Sequence, residues 1–244
     1  MRLTRCYVSG ALHAGDTLTL PAGASTHIGR VLRARPGDSL TLFNGQGGEY
    51  EAQIQSVERH GVRVRIGSHQ TVERESPLRV TLLQALARGE RMDLIVQKAT
   101  ELGVTALVIW AALRSVVRPD PDSQRKRHDH WRGVLISACE QCGRNRLPSL
   151  ELASDLEQAI AFAGDSPRLL LTPEGAHTLP ALAHGLTGVS LLIGPEGGFA
   201  PEELALAQQH GFQGCRLGPR VLRAETAPLA ALTTLQAIAG DLAG

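Results

Sequence analysis

Two loops in the C-terminal third of the chain hold residue types that could bind a cofactor and perform chemistry. The first, Gly194–Phe199, follows an apolar run that ends at Ile193 and precedes a helix that Pro201 is expected to open. Its three glycines let a ligand approach the backbone closely. It matches neither GxGxxG nor the Walker pattern, so it predicts no dinucleotide or nucleoside triphosphate site. The alternative interpretation is a tight strand-to-helix turn.

The second loop, Leu217–Pro228, combines two arginines, a glutamate and apolar side chains ahead of the C-terminal helix. Apolar Val221 and Leu222 suit a flat heterocycle, whereas Arg223 and Glu225 are candidates for charge stabilisation and proton handling. In the alternative interpretation, Arg223 and Glu225 pair with each other and only hold the loop.

The elements that must position these loops alternate between strands and helices after about residue 77. Apolar runs predict buried strands, and apolar residues at helical spacing predict helices between them. The predicted strands are Val80–Leu86, Val104–Trp110, Leu169–Thr172, Val189–Ile193 and Gln213–Leu217, and the predicted helices are Gly89–Leu102, Arg127–Gln141 and two that open near Pro201 and Pro228. This alternation predicts a mainly parallel α/β sheet, in which ligands bind beyond the carboxyl ends of the strands.

The N-terminal part reads as short strands up to a charged linker at 71–77. Asp38–Phe43 and Glu49–Val57 flank Asn44-Gly45, a sequence typical of a tight hairpin turn. In the run Val62–Ile66, apolar residues alternate with arginines. We expect a small antiparallel barrel or sandwich with a basic outer surface, although an arginine stripe is also typical of an ordinary solvated strand.

The charge is distributed unevenly. Residues 1–146 hold 21 lysines and arginines against 14 acids, a net +7, whereas residues 147–244 hold 4 against 10, a net −6. The basic part is the candidate face for a polyanion. Aromatic residues make up only 3%, which argues against a domain that stacks bases on aromatic side chains. The candidate RNA-binding residues are Arg33, Arg63, Arg65, Arg114, Arg125, Lys126, Arg127, Arg144 and Arg146.

Four cysteines form no disulfide framework, which indicates a reducing, cytoplasmic compartment. Cys139 and Cys142 form a single CxxC without a second ligand pair, so we expect packing thiols on a helix rather than a metal or redox site. The longest apolar runs are too short for a membrane helix, and no signal sequence precedes them. The expectation is therefore a protein without metal or membrane anchor.

Several motifs in order resemble the RsmE family of SPOUT methyltransferases over nearly the whole chain. The two loops are similar to the family's knot motifs, GPEGGF at 194–199 and LGPRVLRAETAPLAAL from 217 to 232. The further motifs are VLR at 31–33, GD at 37–38, LFNG at 42–45, GERMDL at 89–94, QKATELGV at 97–104, RSVV at 114–117 and SACEQCGRN at 137–145. The chain departs from the family pattern at Ala112-Leu113 and at Ala224.

The resemblance implies an α/β protein with an N-terminal PUA-like β-barrel at 1–72 that binds RNA. It implies a C-terminal SPOUT domain at 77–244 with a deep trefoil knot at about 190–232. Family members are homodimers that use S-adenosylmethionine to methylate N3 of a uridine in 16S ribosomal RNA, so the partner that the resemblance implies is 16S rRNA within the small ribosomal subunit.

The chemistry of the reaction that the resemblance implies suggests roles for individual residues. Arg223 would stabilise the negative charge on the uracil, and Glu225 would organise the loop or accept the proton. The implied cofactor-binding residues are Thr172, Gly194, Pro195, Glu196, Gly197, Gly198, Leu217, Gly218, Val221, Leu222 and Arg223. Two alternatives remain: a catalytically inactive RNA-binding or ribosome-assembly factor of the same fold, and an oxidoreductase, which should show the missing GxGxxG.

Overall fold

The computed structural model describes residues 4–114 and 121–242, so residues 115–117 of the RSVV motif lie outside the described residues. The chain forms two compact units. The first comprises Met1–Glu75 together with Cys139–Leu147, and the second comprises Ser76–Ala138 and Pro148–Gly244. The sequence did not suggest that a segment near residue 140 groups with the N-terminal part.

The first unit is built on one mixed sheet with the strand order β1-β3-β4-β5-β2. Its elements are β1 (Arg5–Tyr7), β2 (Thr17–Thr19), α1 (Ala22–Thr26), a π-helical turn (His27–Val31), β3 (Ser39–Phe43), β4 (Glu49–Glu58) and β5 (Gly61–Gln70). β1 runs parallel to β3, and the other pairs are antiparallel. Within the described residues no ladder joins the two three-residue edge strands β1 and β2. The predicted closed barrel is therefore wrong, because the sheet stays open at these edges.

The alternation predicted for β5 is confirmed, because Val62, Val64 and Ile66 are at most 2% exposed while Arg63 and Arg65 face solvent. The predicted tight hairpin turn at Asn44-Gly45 is wrong. The connection between β3 and β4 runs from 44 to 48 and pairs with residues 145–147. The Gly47 N–H donates to the Asn145 carbonyl at 3.2 Å, and the Leu147 N–H donates to the Gly45 carbonyl at 3.2 Å. This long-range pairing requires the longer loop.

The second unit confirms the predicted parallel α/β sheet, with all seven strands parallel in the order β10-β12-β9-β11-β6-β7-β8. Its strands are β6 (Arg79–Ala85), β7 (Ala106–Trp110), β8 (Ser149–Ala153), β9 (Arg168–Leu171), β10 (His177–Thr178), β11 (Gly188–Ile193) and β12 (Gln213–Arg216). Its helices are α2 (Glu90–Glu101), α3 (Pro121–Cys142), α4 (Leu156–Ile160), α5 (Leu179–Ala183), α6 (Pro201–Gln209) and α7 (Thr226–Ala239). The last four residues of α3 belong to the first unit.

The strand order brings the two candidate loops to one edge of this sheet. β9 lies between β11 and β12, so the segments that follow β9, β11 and β12 all leave the sheet at its carboxyl edge. Every residue of β11 is buried, because the strand lies inside the sheet. A fully buried parallel strand explains the continuous apolar run from Val189 to Ile193.

Gln236 holds the C-terminal helix α7 in the second unit. The side chain is fully buried, accepts from the Ser76 hydroxyl at 2.6 Å and donates to the Leu102 carbonyl at 3.0 Å. We expect Gln236→Leu to lower the free energy of unfolding by about 2–4 kcal/mol, because it leaves buried polar partners unsatisfied. Denaturant unfolding measures this, with Gln208→Leu as the control because Gln208 is exposed on α6. Equal stability of both variants would contradict the expectation.

Candidate active site

A cleft of about 510 Å³ lies at the carboxyl edge of the sheet in the second unit. Its walls come from the segments after β9, β11 and β12, so they combine both candidate loops. All the predicted cofactor-binding residues except Arg223 line it. The cleft is also lined by residues that were not predicted to bind the cofactor: Arg114, Leu171, Pro173, Glu174, Ile193, Phe199, Leu204, Arg220, Ala224 and Ala227.

The first loop turns tightly where it lines the cleft. The Gly198 N–H donates to the Pro195 carbonyl at 2.9 Å, and Gly198 has a φ of +70°. A Cβ on Gly194 would lie 2.8 Å from the Phe199 ring, which stacks on Trp110 with a centroid separation of 6.1 Å. A side chain at 194 therefore forces the ring out of its stack. The tight turn of the alternative interpretation is present and also lines the cleft, whereas ligand binding by this loop stays a prediction.

Glu203 joins the end of this loop to the helix α6. Its carboxylate accepts from the Ala200 N–H and from the Leu113 N–H, both at 2.8 Å, and the residue is only 5% exposed. The backbone of Leu113 therefore contacts an acid at a position where the side chain departs from the family pattern. The Glu203 carboxylate also lies in the first turn of α6, where the helix dipole favours a negative charge.

Two arginines from other segments hold the first loop. Arg91 on α2 pairs with Glu196, with 2.5 Å between Nη1 and Oε1. Arg114 donates from Nη1 to the Gly197 carbonyl at 3.1 Å. Arg114 was predicted to contact RNA, but its guanidinium lies in the cleft wall against Gly197. The partner of Arg114 is the backbone carbonyl of Gly197, which every residue type has. The sequence therefore carried no signal for this contact.

The second loop enters the cleft through Gly218, Val221 and Leu222. Gly218 has a φ of +67° and no atom within 4 Å of the position a Cβ would take, so its backbone is open to a ligand. Val221 is 82% exposed. This apolar surface beside a polar cleft edge is consistent with contact to a flat ring.

Arg223 and Glu225 do not form the pair that the alternative interpretation required. Glu225 Oε2 lies 3.8 Å from Arg91 Nε and is buried without a hydrogen-bond partner. Arg223 is exposed, lies outside the lining of the cleft, and contributes its carbonyl to the N–H groups of Thr226 and Ala227 at 2.9 Å each. The Arg223 guanidinium thus faces solvent at the edge of the loop rather than the interior.

The segment after β9 forms the third wall. The Thr172 hydroxyl donates to Glu174 Oε2 at 2.5 Å, and this hydrogen bond lowers the pKa of the Glu174 carboxyl. A Cβ on Gly175 would lie 2.4 Å from the Cys215 carbonyl carbon, so glycine is required for this close approach to β12. The negative Glu174 is a candidate partner for a cationic group of a ligand.

The predicted RNA-binding residues fall into different environments. Arg33, Arg63, Arg65, Arg125 and Lys126 are exposed, and Arg127 is half-buried. Arg146 is exposed and lies 3.4 Å from Glu73. The prediction that Arg144 binds RNA is wrong, because Arg144 is 4% exposed and pairs with Glu75 inside the first unit. A buried, paired guanidinium is not available to a phosphate.

The CxxC cysteines behave as helix residues. Cys139 is fully buried, and burial raises the pKa of its thiol to about 12, so the thiol stays protonated near neutral pH. In the part of the chain that the structure describes, no group of three histidine, cysteine or acidic side chains could hold a metal ion. Among the described helices, none is long and apolar enough to cross a membrane.

Comparison with protein-family models identifies the class. Residues 74–236 match the RNA methyltransferase domain, and residues 20–67 match the RNA methyltransferase PUA domain. The first match covers two-thirds of the chain and contains the whole cleft. A parallel α/β domain with a glycine-lined cleft, preceded by a PUA-type module, is thus an RNA methyltransferase architecture.

Curated relatives and solved structures narrow this class. The ribosomal RNA small subunit methyltransferase E of Bacillus subtilis is 33% identical over 92% of this chain and 91% of its own length. The enzyme of that name from Neisseria gonorrhoeae, solved with S-adenosylmethionine, is 36% identical with a TM-score of 0.90, covering 99% of this chain and 100% of that one. A putative methyltransferase from Legionella pneumophila, solved with the bound cofactor SAM, is 43% identical to this chain with a TM-score of 0.94. The match covers 99% of this chain and 100% of that one. The chain belongs to the ribosomal RNA small subunit methyltransferase E family, which confirms the resemblance of its motifs.

Proposed function

We propose that this protein transfers a methyl group from S-adenosylmethionine to N3 of a uridine in 16S ribosomal RNA of the small subunit. The observation that carries the proposal is the cleft, in which both glycine loops meet at the carboxyl edge of the sheet. In this proposal the region 1–72 binds RNA, and the region 77–244 holds the cofactor in a trefoil knot at about 190–232. The protein acts in the cytoplasm as a homodimer.

The residues present fit the cofactor. The cleft volume of about 510 Å³ lies within the usual range for small-molecule sites. Gly198 and Gly218 have positive φ and open space where a side chain would stand, so their backbone groups can contact a ligand directly. Val221 and Leu222 offer an apolar surface for an adenine ring, and the exposed acid Glu174 offers a negative charge for a cationic group.

S-adenosylmethionine supplies an electrophilic methyl group when bound, and the protein supplies orientation and electrostatics. The glycine loops hold the cofactor through backbone groups, and Arg114 keeps Gly197 in place by donating to its carbonyl. Arg223 is exposed on the second loop and lies outside the lining of the cleft, so in this proposal its side chain is accessible to an incoming uridine. Its cation stabilises the negative charge that spreads over O2 and O4 when uracil N3 loses its proton.

Glu225 is the candidate proton acceptor of this site. Its Oε2 is buried and lacks a hydrogen-bond partner, so it can accept one from an N–H group that reaches it. A uridine must be unpaired or turned out of its stack before its N3–H can reach Glu225. The two residues thus divide the task, with Glu225 taking the proton and Arg223 balancing the charge.

The basic residues of α3 provide a test of RNA binding. Replacing Arg125, Lys126 and Arg127 together by alanine should weaken RNA binding and lower the magnitude of the slope of log affinity against log salt by up to about 2 to 3, since each lost phosphate contact removes about 0.7 on a single strand and about 0.9 on a duplex. Filter binding at several salt concentrations measures both quantities. Lys98→Met is the control, because Lys98 already pairs with Glu101 at 2.9 Å. An unchanged slope would place the docking face elsewhere.

The proposed function is tested with purified protein and rRNA from a deletion strain. Calorimetry should show S-adenosylmethionine binding, and mass spectrometry should find a methylated uridine in 16S rRNA only after the protein acts on small subunits. RNA binding without cofactor binding would identify an inactive assembly factor instead. Cofactor binding with methylation at another base would overturn the assignment of uridine N3.

A further inference from the structure

Arg91 is a common partner of the two loops that line the cleft. It is the second residue of α2, and the helix begins after Gly89, whose φ of +57° lets the chain turn from β6 toward the cleft. The next residue, Met92, is 1% exposed, so the start of the helix is fixed by the core. Arg91 itself remains at the surface, with its side chain 45% exposed.

The guanidinium of Arg91 contacts one acid from each loop. Nη1 lies 2.5 Å from Glu196 Oε1 in the first loop, and Nε lies 3.8 Å from Glu225 Oε2 in the second. The two contacts use different nitrogens of the planar fork. A guanidinium can therefore address both acids at once, whereas an ammonium offers one compact charge.

The environment of Glu225 makes its contact with Arg91 important. Its side chain is 16% exposed, and its Oε2 has no hydrogen-bond partner. A carboxylate oxygen that is buried without a hydrogen bond is costly unless a cation lies near, and the Nε of Arg91 lies 3.8 Å from Glu225 Oε2. Without that cation, we expect the carboxylate to gain by moving toward water and to carry the second loop with it.

We propose that Arg91 is a positioning residue that couples the two loops and thereby sets the shape of the cofactor cleft and the orientation of Glu225. This inference rests on the proposed function, since the cofactor that reports on the cleft is S-adenosylmethionine. Arg91 lies outside the lining of the cleft and acts through Glu196 and Glu225.

The test compares Arg91→Met with Lys98→Met in the full-length protein. Lys98 lies on the same helix and forms an ion pair of its own with Glu101, so both variants remove one cation from α2. Arg91→Met should raise the dissociation constant for S-adenosylmethionine by about tenfold, as expected for coupled neighbours, while Lys98→Met leaves it unchanged. Arg91→Lys should recover only part of the loss, because it restores the charge without the fork.

A second substitution separates positioning from folding. Adding Glu225→Gln to Arg91→Met removes the unpaired charge, so the double variant should bind S-adenosylmethionine more tightly than Arg91→Met alone. A folding defect would instead lower the number of binding sites found by calorimetry and leave the dissociation constant unchanged. In methylation assays, Arg91→Met should raise KM for the cofactor more than it lowers kcat.

The outcomes distinguish this inference from the proposed function. If the Arg91→Met and Lys98→Met variants bind the cofactor equally, or if Glu225→Gln brings no recovery, Arg91 does not couple the loops. If the unaltered protein binds S-adenosylmethionine but methylates no uridine, the function is wrong, and the binding measurements still decide the role of Arg91. If the unaltered protein binds no S-adenosylmethionine, both proposals fall.

Discussion

Arg223→Ala should slow methyl transfer by about 100- to 1000-fold, which is typical for removing a preorganised donor that stabilises a developing negative charge. The affinity for S-adenosylmethionine should change by less than about tenfold, or about 1.4 kcal/mol. The reason is the position of Arg223, which is exposed on the loop and lies outside the cleft lining. It can therefore act on the uracil without holding the cofactor.

Single-turnover methylation of small subunits and equilibrium cofactor binding separate these effects. Arg220→Ala is the matched comparison. It removes the same charge from the same loop, but Arg220 lines the cleft and Arg223 does not. We expect Arg220→Ala to weaken cofactor binding and to leave the rate at saturating cofactor nearer to that of the unaltered protein. An unchanged rate for Arg223→Ala removes Arg223 from the mechanism, and a matching loss of affinity makes it a cofactor-binding residue.

Gly194→Val should weaken cofactor binding by at least about 100-fold, or about 2.8 kcal/mol. A Cβ at 194 meets the Phe199 ring at 2.8 Å, and the ring can yield only by leaving its stack on Trp110. The branched side chain would also take up space in the cleft, because Gly194 lines it. Gly218→Val should have a similar effect, because valine strongly disfavours the φ of +67° found there.

Calorimetry with S-adenosylmethionine measures the loss. Gly133→Val is the control, because Gly133 lies in α3 with no atom within 4 Å of a Cβ. Thermal unfolding and far-ultraviolet circular dichroism check that the sheets remain folded. Affinity equal to that of the control in both loop variants would remove the glycines from cofactor binding.

The sequence predicted those parts of the molecule that local patterns determine. The continuous apolar run at 189–193 identified a buried strand, and glycines after that strand identified a loop that now lines the cleft. The alternation at 62–66 identified the buried and exposed faces of β5. The alternation of strands with helices predicted the parallel strand order and the carboxyl edge of the sheet, where the cleft lies.

The parts that could not be predicted depend on partners distant along the chain. Arg144 looked like a phosphate ligand because its charge is visible in the sequence, whereas its pairing with Glu75, 69 residues away, is not. Arg114 donates to Gly197 and Arg91 pairs with Glu196, and neither contact leaves a local pattern. The turn after β3 was mispredicted for the same reason, since Gly45 and Gly47 bond to residues 145–147.

The composition of the first unit also limits how this protein can be divided. Its N-terminal sheet is completed by residues 139–147, where the Tyr7 N–H donates to Glu140 at 2.9 Å and Asn145 donates to the Val72 carbonyl at 2.6 Å. No single cleavage point in the chain therefore separates two self-sufficient fragments. A truncation that begins at Ser76 removes Glu75 and Val72, which bond to the buried Arg144 and Asn145, so gene fusions or domain exchanges must transfer both stretches together.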